Sequence, residues 1–294
     1  MNPLAIAPAA MQYYPAPAKL NLMLHVTGRR ADGYHLLQTV FRFIDHADRI
    51  GLSVREDGAI VRVNDVAGVA EADDLTVRAA RALQQASGCR LGADIEVMKR
   101  IPQGGGLGGG SSDAATVLLV LNRLWGVGLA RETLQSIGLG LGADVPVFVF
   151  GQTAFAGGVG EELTPIAAEP AWYVVLVPPV AVPTREVFQA PDLTRDSPAA
   201  KIAGFSGPHY RFPLTPGRND LEPVVVARFP AVREHLAWLR EHGPAAMSGS
   251  GACVFAAFRT EDEARAVLAR RPAPMQGFVA AGLDRHPLHG FAAP

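Results

Sequence analysis

Apolar and polar residues alternate strictly from Lys19 to Val26. Leu20, Leu22, Leu24 and Val26 fall on one face and Lys19, Asn21, Met23 and His25 on the other, the period of a half-buried strand. Ile50, Leu52 and Val54 repeat the alternation and Ile60–Val63 reads as a partner, so the first sixty residues are predicted to be mostly sheet. Helical signals follow: Asp73 or Asp74 caps a helix through Gln85 that stops before Gly88. Ile95–Met98 is a short strand running into Lys99, a glycine-rich loop spans Pro102–Gly110, and Ala114–Trp125 is an apolar helix. Arg131–Ile137 is a further helix, leading to Asp144 and the apolar Val147–Phe150.

Glycines at 157, 158 and 160 break the pattern, which divides the chain into residues 1–160 and 161–294. Beyond the break, Trp172–Val177 reads as a strand, Thr184 opens a short helix through Phe188, Ala190–Pro216 is irregular and Ala231–Arg240 is helical. The closing strand, helix and strand (Cys253–Phe258, Glu261–Leu268, Gly277–Ala281) predict an α+β sandwich with helices on one side of a sheet. His286 and His289 read as a solvated tail.

Composition narrows the function. The 294 residues are 49% hydrophobic and 19% charged with a formal charge of -1, so a real core is expected and no field is available to attract a polyanion. Cys89 and Cys253 are too few for a disulfide framework and lack zinc-site spacing; both are expected to be buried thiols. No apolar run approaches the ~20 residues of a membrane helix, and Met1–Pro17 resembles neither a secretory nor a transit signal. The expectation is a soluble, cytoplasmic protein without nucleic-acid or membrane partners.

The chemistry lies in the loop. From Gly104 to Gly110 only Leu107 is not glycine, and Ser111-Ser112-Asp113 opens the helix that follows. Strand, glycine loop and helix form an anion site: the helix start leaves N–H groups unpaired at its positive end, and glycines let a phosphate approach the backbone. No lysine follows a glycine, which excludes a Walker A loop. Gly104, Gly106 and Gly109 fit GxGxxG, but Arg123–Gly128 holds no carboxylate, which weakens a dinucleotide-dependent oxidoreductase. HRD, DFG, GxSxG and HExxH motifs are absent.

Pro102-x-x-x-Gly106-Leu-Gly-Gly-Gly-Ser-Ser-Asp-Ala-Ala115 closely resembles the phosphate motif of the GHMP kinases. Four further blocks in order resemble one branch of that superfamily: Pro17-Ala-Lys19-Leu-Asn21-Leu, Arg30-Ala-Asp-Gly-Tyr34-His35-x-Leu-Gln-Thr39, Leu141-Gly-Ala-Asp144-Val-Pro-Val-Phe148, and Ser248-Gly-Ser-Gly-Ala-Cys253. The resemblance implies a two-domain α+β fold, an N-terminal ribosomal-protein-S5-like half and a C-terminal ferredoxin-like α/β sandwich. It also implies ATP-dependent phosphorylation of the 2-hydroxyl of 4-diphosphocytidyl-2-C-methyl-D-erythritol, in the non-mevalonate route to isoprenoid precursors. Another GHMP-type kinase and a non-catalytic nucleotide-binding module are the alternatives.

Carried over residue by residue, the resemblance makes Asp144 the general base and Lys19 its electrostatic partner. It places ATP on Pro102, Gln103, Gly104, Gly105, Gly106, Leu107, Gly108, Gly109, Gly110, Ser111 and Ser112, with Lys99 near the adenine. Tyr34, His35 and Phe188 would read the cytidine by stacking and hydrogen bonding. Asn21, Thr184, Gly249 and Gly251 would line the acceptor cleft. Mg2+ is expected to travel with ATP, with Ser111 or Ser112 nearest. At Asp74, relatives commonly carry Asn, and a carboxylate accepts but does not donate to an adenosine.

Overall fold

The computed structural model describes residues 10–200 and 211–293; the lead Met1–Ala9 and part of the irregular stretch lie outside the described residues. Two long strands organise the N-terminal half, β1 (Gln12–Arg29) and β2 (His35–Arg55), paired antiparallel along nearly their whole length. β1 occupies one edge of β2. The other edge takes three strands in succession: β5 (Ala154–Gly157) at Thr39–Phe41, β10 (Gln276–Leu283) at Phe43–Ile44, and β4 (Gly92–Met98) at Arg49–Arg55. β3 (Ile60–Arg62) extends β4 in parallel, and β6 (Glu162–Pro165) forms a hairpin with β5 across Gly160.

In the C-terminal half β10 pairs with β7 (Trp172–Val177), β7 with β9 (Val254–Phe258) and β9 with β8 (Ala245–Met247), all antiparallel. Because β10 pairs with both β7 and β2, one ten-stranded sheet runs through both halves. The N-terminal helices α1 (Leu75–Ser87), α2 (Gly109–Leu124), α3 (Arg131–Leu139) and α4 (Val145–Phe150) cover one core. A second core lies under α5 (Thr184–Gln189), α6 (Glu222–Arg228), α7 (Pro230–Arg240) and α8 (Glu261–Ala269). A third cluster joins Ala18, Leu20 and Leu22 of β1 to Val175 and Phe255.

Three expectations change. β1 is buried on both faces, not one: Ala16 through Leu24 are all buried, because α2 packs against β1 and the C-terminal strands share its apolar cluster. β2 begins at His35, fifteen residues before its alternation starts at Ile50, since Phe41, Arg42, Phe43 and Ile44 are buried in sequence and show no period of two. The histidines near the end are not a solvated tail. His286 is 2% exposed, and burial, then His289 and Arg131, push its pKa down to about 3. The segment around it returns to the N-terminal core, which takes in Leu288 and Ala292. Cys253 is buried, its thiol pushed up to about 12 by burial, while Cys89 is half-buried.

Candidate active site

The glycine loop joins β4 to α2. Gly108 takes the left-handed conformation (φ 72°) as the N-cap of α2, and Ser112 N–H bonds back to Gly108 O at 2.9 Å. α2 is buried from Ser112 to Asn122, which fixes the loop by its helix. Some glycines serve packing rather than an anion: a Cβ on Gly106 would lie 2.1 Å from Ser248 O, and Cys253 N–H donates to Gly105 O at 3.1 Å. Two glycine loops, one from each half, are therefore pressed together. Asn219 holds the second, donating from Nδ2 to Met247 O and Gly249 O at 2.8 Å each.

On one side of the loop lies a cavity of about 410 Å³ lined by Val66, Val69, Leu75, Val97 and Ile101, by Lys99 with Asp73, Asp74 and Asp113, and by Pro102–Ser111. Apolar walls beside a row of glycine N–H groups fit a nucleotide, base in the slot and phosphates along the loop. Lys99 Nζ donates to Asp48 at 2.5 Å and to Asp113 at 2.7 Å, and these carboxylates keep its pKa raised against the opposing effect of burial. Burial, with Asp48 adding, pushes Asp113 up to about 7 despite Lys99. Asp74 caps α1 through Thr76 N–H at 2.8 Å and pairs with Arg62 at 2.7 Å, so both its oxygens are engaged within the protein. Ser112 is not brought to this cavity: it is fully buried and its hydroxyl donates to Pro17 O at 2.7 Å, leaving Ser111 as the hydroxyl at the loop. Leu107 points its side chain into the apolar interior and offers only backbone, its carbonyl accepting Lys19 N–H at 2.9 Å.

The second cavity, about 330 Å³, shares Gly104, Gly106, Gly108 and Ser111 with the first. Lys19 sits at its floor, 3% exposed, with Nζ 2.5 Å from Asn21 Oδ1, 3.0 Å from Gly106 O and 3.3 Å from Asp144 Oδ2. Asn21 is oriented by donating to Thr39 Oγ1 at 2.8 Å, and Thr39 by donating to Met23 O at 2.5 Å. Asp144 stands at the N-cap position of α4 without making a capping hydrogen bond; its carboxylate turns to Lys19 instead. A mid-strand lysine and a loop aspartate, 125 positions apart in number, thus meet over an open space.

A third cavity of about 600 Å³ shares Leu37, Ala143, Val159, Thr184 and Phe188 with the second and is walled by Tyr34 and His35. The Phe188 and His35 rings are 5.1 Å apart and Tyr34 is 64% exposed. Burial, then Arg195 and Arg29, hold the His35 imidazole below its ordinary pKa. Thr184 Oγ1 meets Ser250 Oγ at 2.7 Å, and Gly249 and Gly251 line the second cavity. Thr39 stands in a motif block but is given no role there, and pattern reading misses Asp48, Asn219 and Arg195. Nothing in local periodicity marks them, because their roles come from neighbours distant in sequence.

The glycine loop thus borders two cavities, and the lysine–aspartate pair lines the second, a geometry that fits phosphoryl transfer. The GHMP kinases N terminal domain matches residues 74–152 and the GHMP kinases C terminal domain residues 210–276. The chain is a GHMP kinase, a small-molecule kinase that transfers phosphate to an alcohol. It is similar to 4-diphosphocytidyl-2-C-methyl-D-erythritol kinase of Thiobacillus denitrificans, at 64% identity covering 95% of this chain and 98% of the relative. The namesake from Nitrosospira multiformis is 58% identical, covering 95% and 93%. A crystal structure of 4-(cytidine 5'-diphospho)-2C-methyl-D-erythritol kinase superposes with a TM-score of 0.75 at 35% identity, covering 92% of this chain and 99% of that one. Within the GHMP kinases the chain belongs to the 4-diphosphocytidyl-2-C-methyl-D-erythritol kinase family. Homoserine kinase from Cytophaga hutchinsonii, at 14% identity and a TM-score of 0.68 over 97% and 98% of the two chains, shares the fold.

Proposed function

We propose that the chain transfers the γ-phosphoryl group of ATP to the 2-hydroxyl of 4-diphosphocytidyl-2-C-methyl-D-erythritol, in the non-mevalonate route to isoprenoid precursors. The observation that carries this is the continuity of the three cavities. An apolar slot with a phosphate loop opens onto Lys19 and Asp144, and that space opens in turn onto a chamber walled by Tyr34, His35 and Phe188. A donor nucleotide from one side and a cytidylyl acceptor from the other would meet at the pair. The relatives named for this substrate support the same reading. Residues 1–160 would carry the nucleotide and, through Asn21, Tyr34, His35 and Asp144, much of the acceptor wall, to which 161–294 add Thr184, Phe188, Gly249 and Gly251, with the family matches falling on either side of that division.

Adenine would lie between Val66, Val69, Leu75 and Val97 beside Lys99, with the phosphates on the N–H groups of the loop. Asp144 accepts the proton of the acceptor hydroxyl as its oxygen bonds to the γ-phosphorus and the bond from phosphorus to the bridging oxygen of ADP breaks. Lys19, 3.3 Å from Asp144, orients its carboxylate and offsets charge on the transferring group. Asn21 holds Lys19 in place and faces the acceptor. Asp144 and Ser111 are hard-oxygen donors on one cavity, which fits a magnesium ion carried by the nucleotide. That ion, when bound, neutralises phosphate charge.

ADP release by the purified chain, with ATP, magnesium and the cytidylyl acceptor, tests the reading. Release is expected with that acceptor and not with galactose or homoserine. Release with either of those instead would move the chain to another GHMP specificity, and nucleotide binding without transfer would make it a binding module.

A further inference from the structure

Arg195 belongs to none of the motif blocks, yet its guanidinium ties the outer chamber together. Nε donates to His35 Nε2 at 3.2 Å, Nη1 to Leu193 O at 3.1 Å, and Nη2 to Phe188 O at 3.1 Å and Ala190 O at 2.6 Å. One planar group thereby joins the ring at the start of β2 to the end of α5, which carries Phe188. A guanidinium has donors only and does not lose its proton in proteins, so His35 Nε2 must accept. The single proton of the neutral ring then sits on Nδ1. Burial and two arginines disfavour the imidazolium, which keeps the ring neutral.

We propose that Arg195 is a positioning residue that sets base specificity: by fixing the Nδ1–H tautomer it makes His35 a hydrogen-bond donor, selecting cytosine, whose N3 accepts, over uracil, whose N3 carries a hydrogen. The proposal rests on the reading of the outer chamber as the cytidine site. Without Arg195 the two neutral tautomers lie close in energy, and an Nε2–H ring offers a bare Nδ1 to uracil N3–H. A site built on one hydrogen-bond polarity rejects the opposite one because the buried donors then face each other unpaired.

The test is 15N NMR of the full chain labelled at histidine, with His35→Gln for assignment and titrations with CDP and UDP. Expected for the wild-type chain are a protonated Nδ1 and bare Nε2 at His35, and CDP bound about tenfold or more tightly than UDP. In Arg195→Met the tautomers mix and the two affinities converge to within about threefold, with ATP affinity unchanged. Arg195→Lys guards against a Met variant that does not fold: it keeps one donor, so the Nδ1–H signature and the CDP preference persist while both affinities fall. A protonated Nε2 in the wild-type chain, with CDP still moving the His35 resonances, overturns the proposal alone. So does Arg195→Met with an unchanged tautomer and preference. CDP that leaves the wild-type His35 resonances unmoved overturns the cytidine reading and the proposal with it.

Discussion

Asp144 shows at the scale of one residue how structure decides between two readings of a sequence. Ahead of Val145-Pro146 an aspartate is an expected helix cap, but its carboxylate is turned to Lys19 at 3.3 Å and caps nothing. Asp144→Asn is therefore expected to fold with unchanged thermal stability and ATP affinity and to lose about 10²–10⁴ of turnover, read by ADP release and nucleotide titration. A helix-stabilising role would give the reverse, a lower melting temperature with turnover retained. Asp74 is the opposite case. It is the cap of α1 and the partner of Arg62, so Asp74→Ala should lower stability by about 1 kcal/mol or more in urea unfolding. Lys19 and Asp144 were legible in the sequence only through motif blocks, since each alone is an ordinary strand or turn residue. Arg195 and Asp48 were not legible, because the carbonyls that accept from Arg195 and the backbone N–H groups and Lys99 that donate to Asp48 are brought to them only by the folded chain.

At the scale of elements, strand, loop and helix around the glycine run followed from residue order, and helices α1, α3, α7 and α8 lie close to where capping and apolar spacing predicted them. The short elements did not show: β5, β6, β8 and α6 have between three and seven residues, too few for a period to declare itself. The sequence presented the glycine run as one phosphate cradle, whereas the structure divides it by task. Gly104 has φ of 66° with nothing within 4 Å of a Cβ, while Gly106 combines φ of 73° with Ser248 O at 2.1 Å. Gly104→Ala should cost about 1–2 kcal/mol of backbone strain and retain a folded site. Gly106→Ala should push the two glycine loops apart, abolish turnover and destabilise by clearly more than Gly104→Ala, as chemical denaturation of the pair would measure. Equal stability losses in the two variants would refute that division of labour.

At the scale of the whole molecule, two buried groups make stability respond to pH in opposite directions. His286 titrates near 3 in the fold against 6.5 as a free side chain, so the unfolded chain binds the extra proton and stability falls as pH drops from about 6.5. Asp113 titrates near 7 in the fold against 3.8 free, so the folded chain binds the extra proton and stability rises as pH drops from about 7 towards 4. The two contributions oppose each other between about pH 6.5 and 4, and Asp113→Asn should unmask the histidine. Its unfolding free energy is expected to fall more steeply than that of the wild-type chain across this window, by about 1.4 kcal/mol per pH unit. Parallel profiles from urea titrations at several pH values would remove Asp113 from that balance.

Arg131 ties late residues to an early core. Its guanidinium donates to Val149 O at 2.6 Å, and to His289 O at 2.5 Å and Ala292 O at 2.8 Å, while Leu288 and Ala292 fill the core beneath α1 to α4. During synthesis the N-terminal half must therefore wait, with an apolar gap and an arginine short of its carbonyls, until more than a hundred later residues have left the ribosome. β10 then arrives just ahead of that segment and stitches both halves into one sheet. The N-terminal core is thus closed last, together with the seam of β10 that joins it to the C-terminal strands.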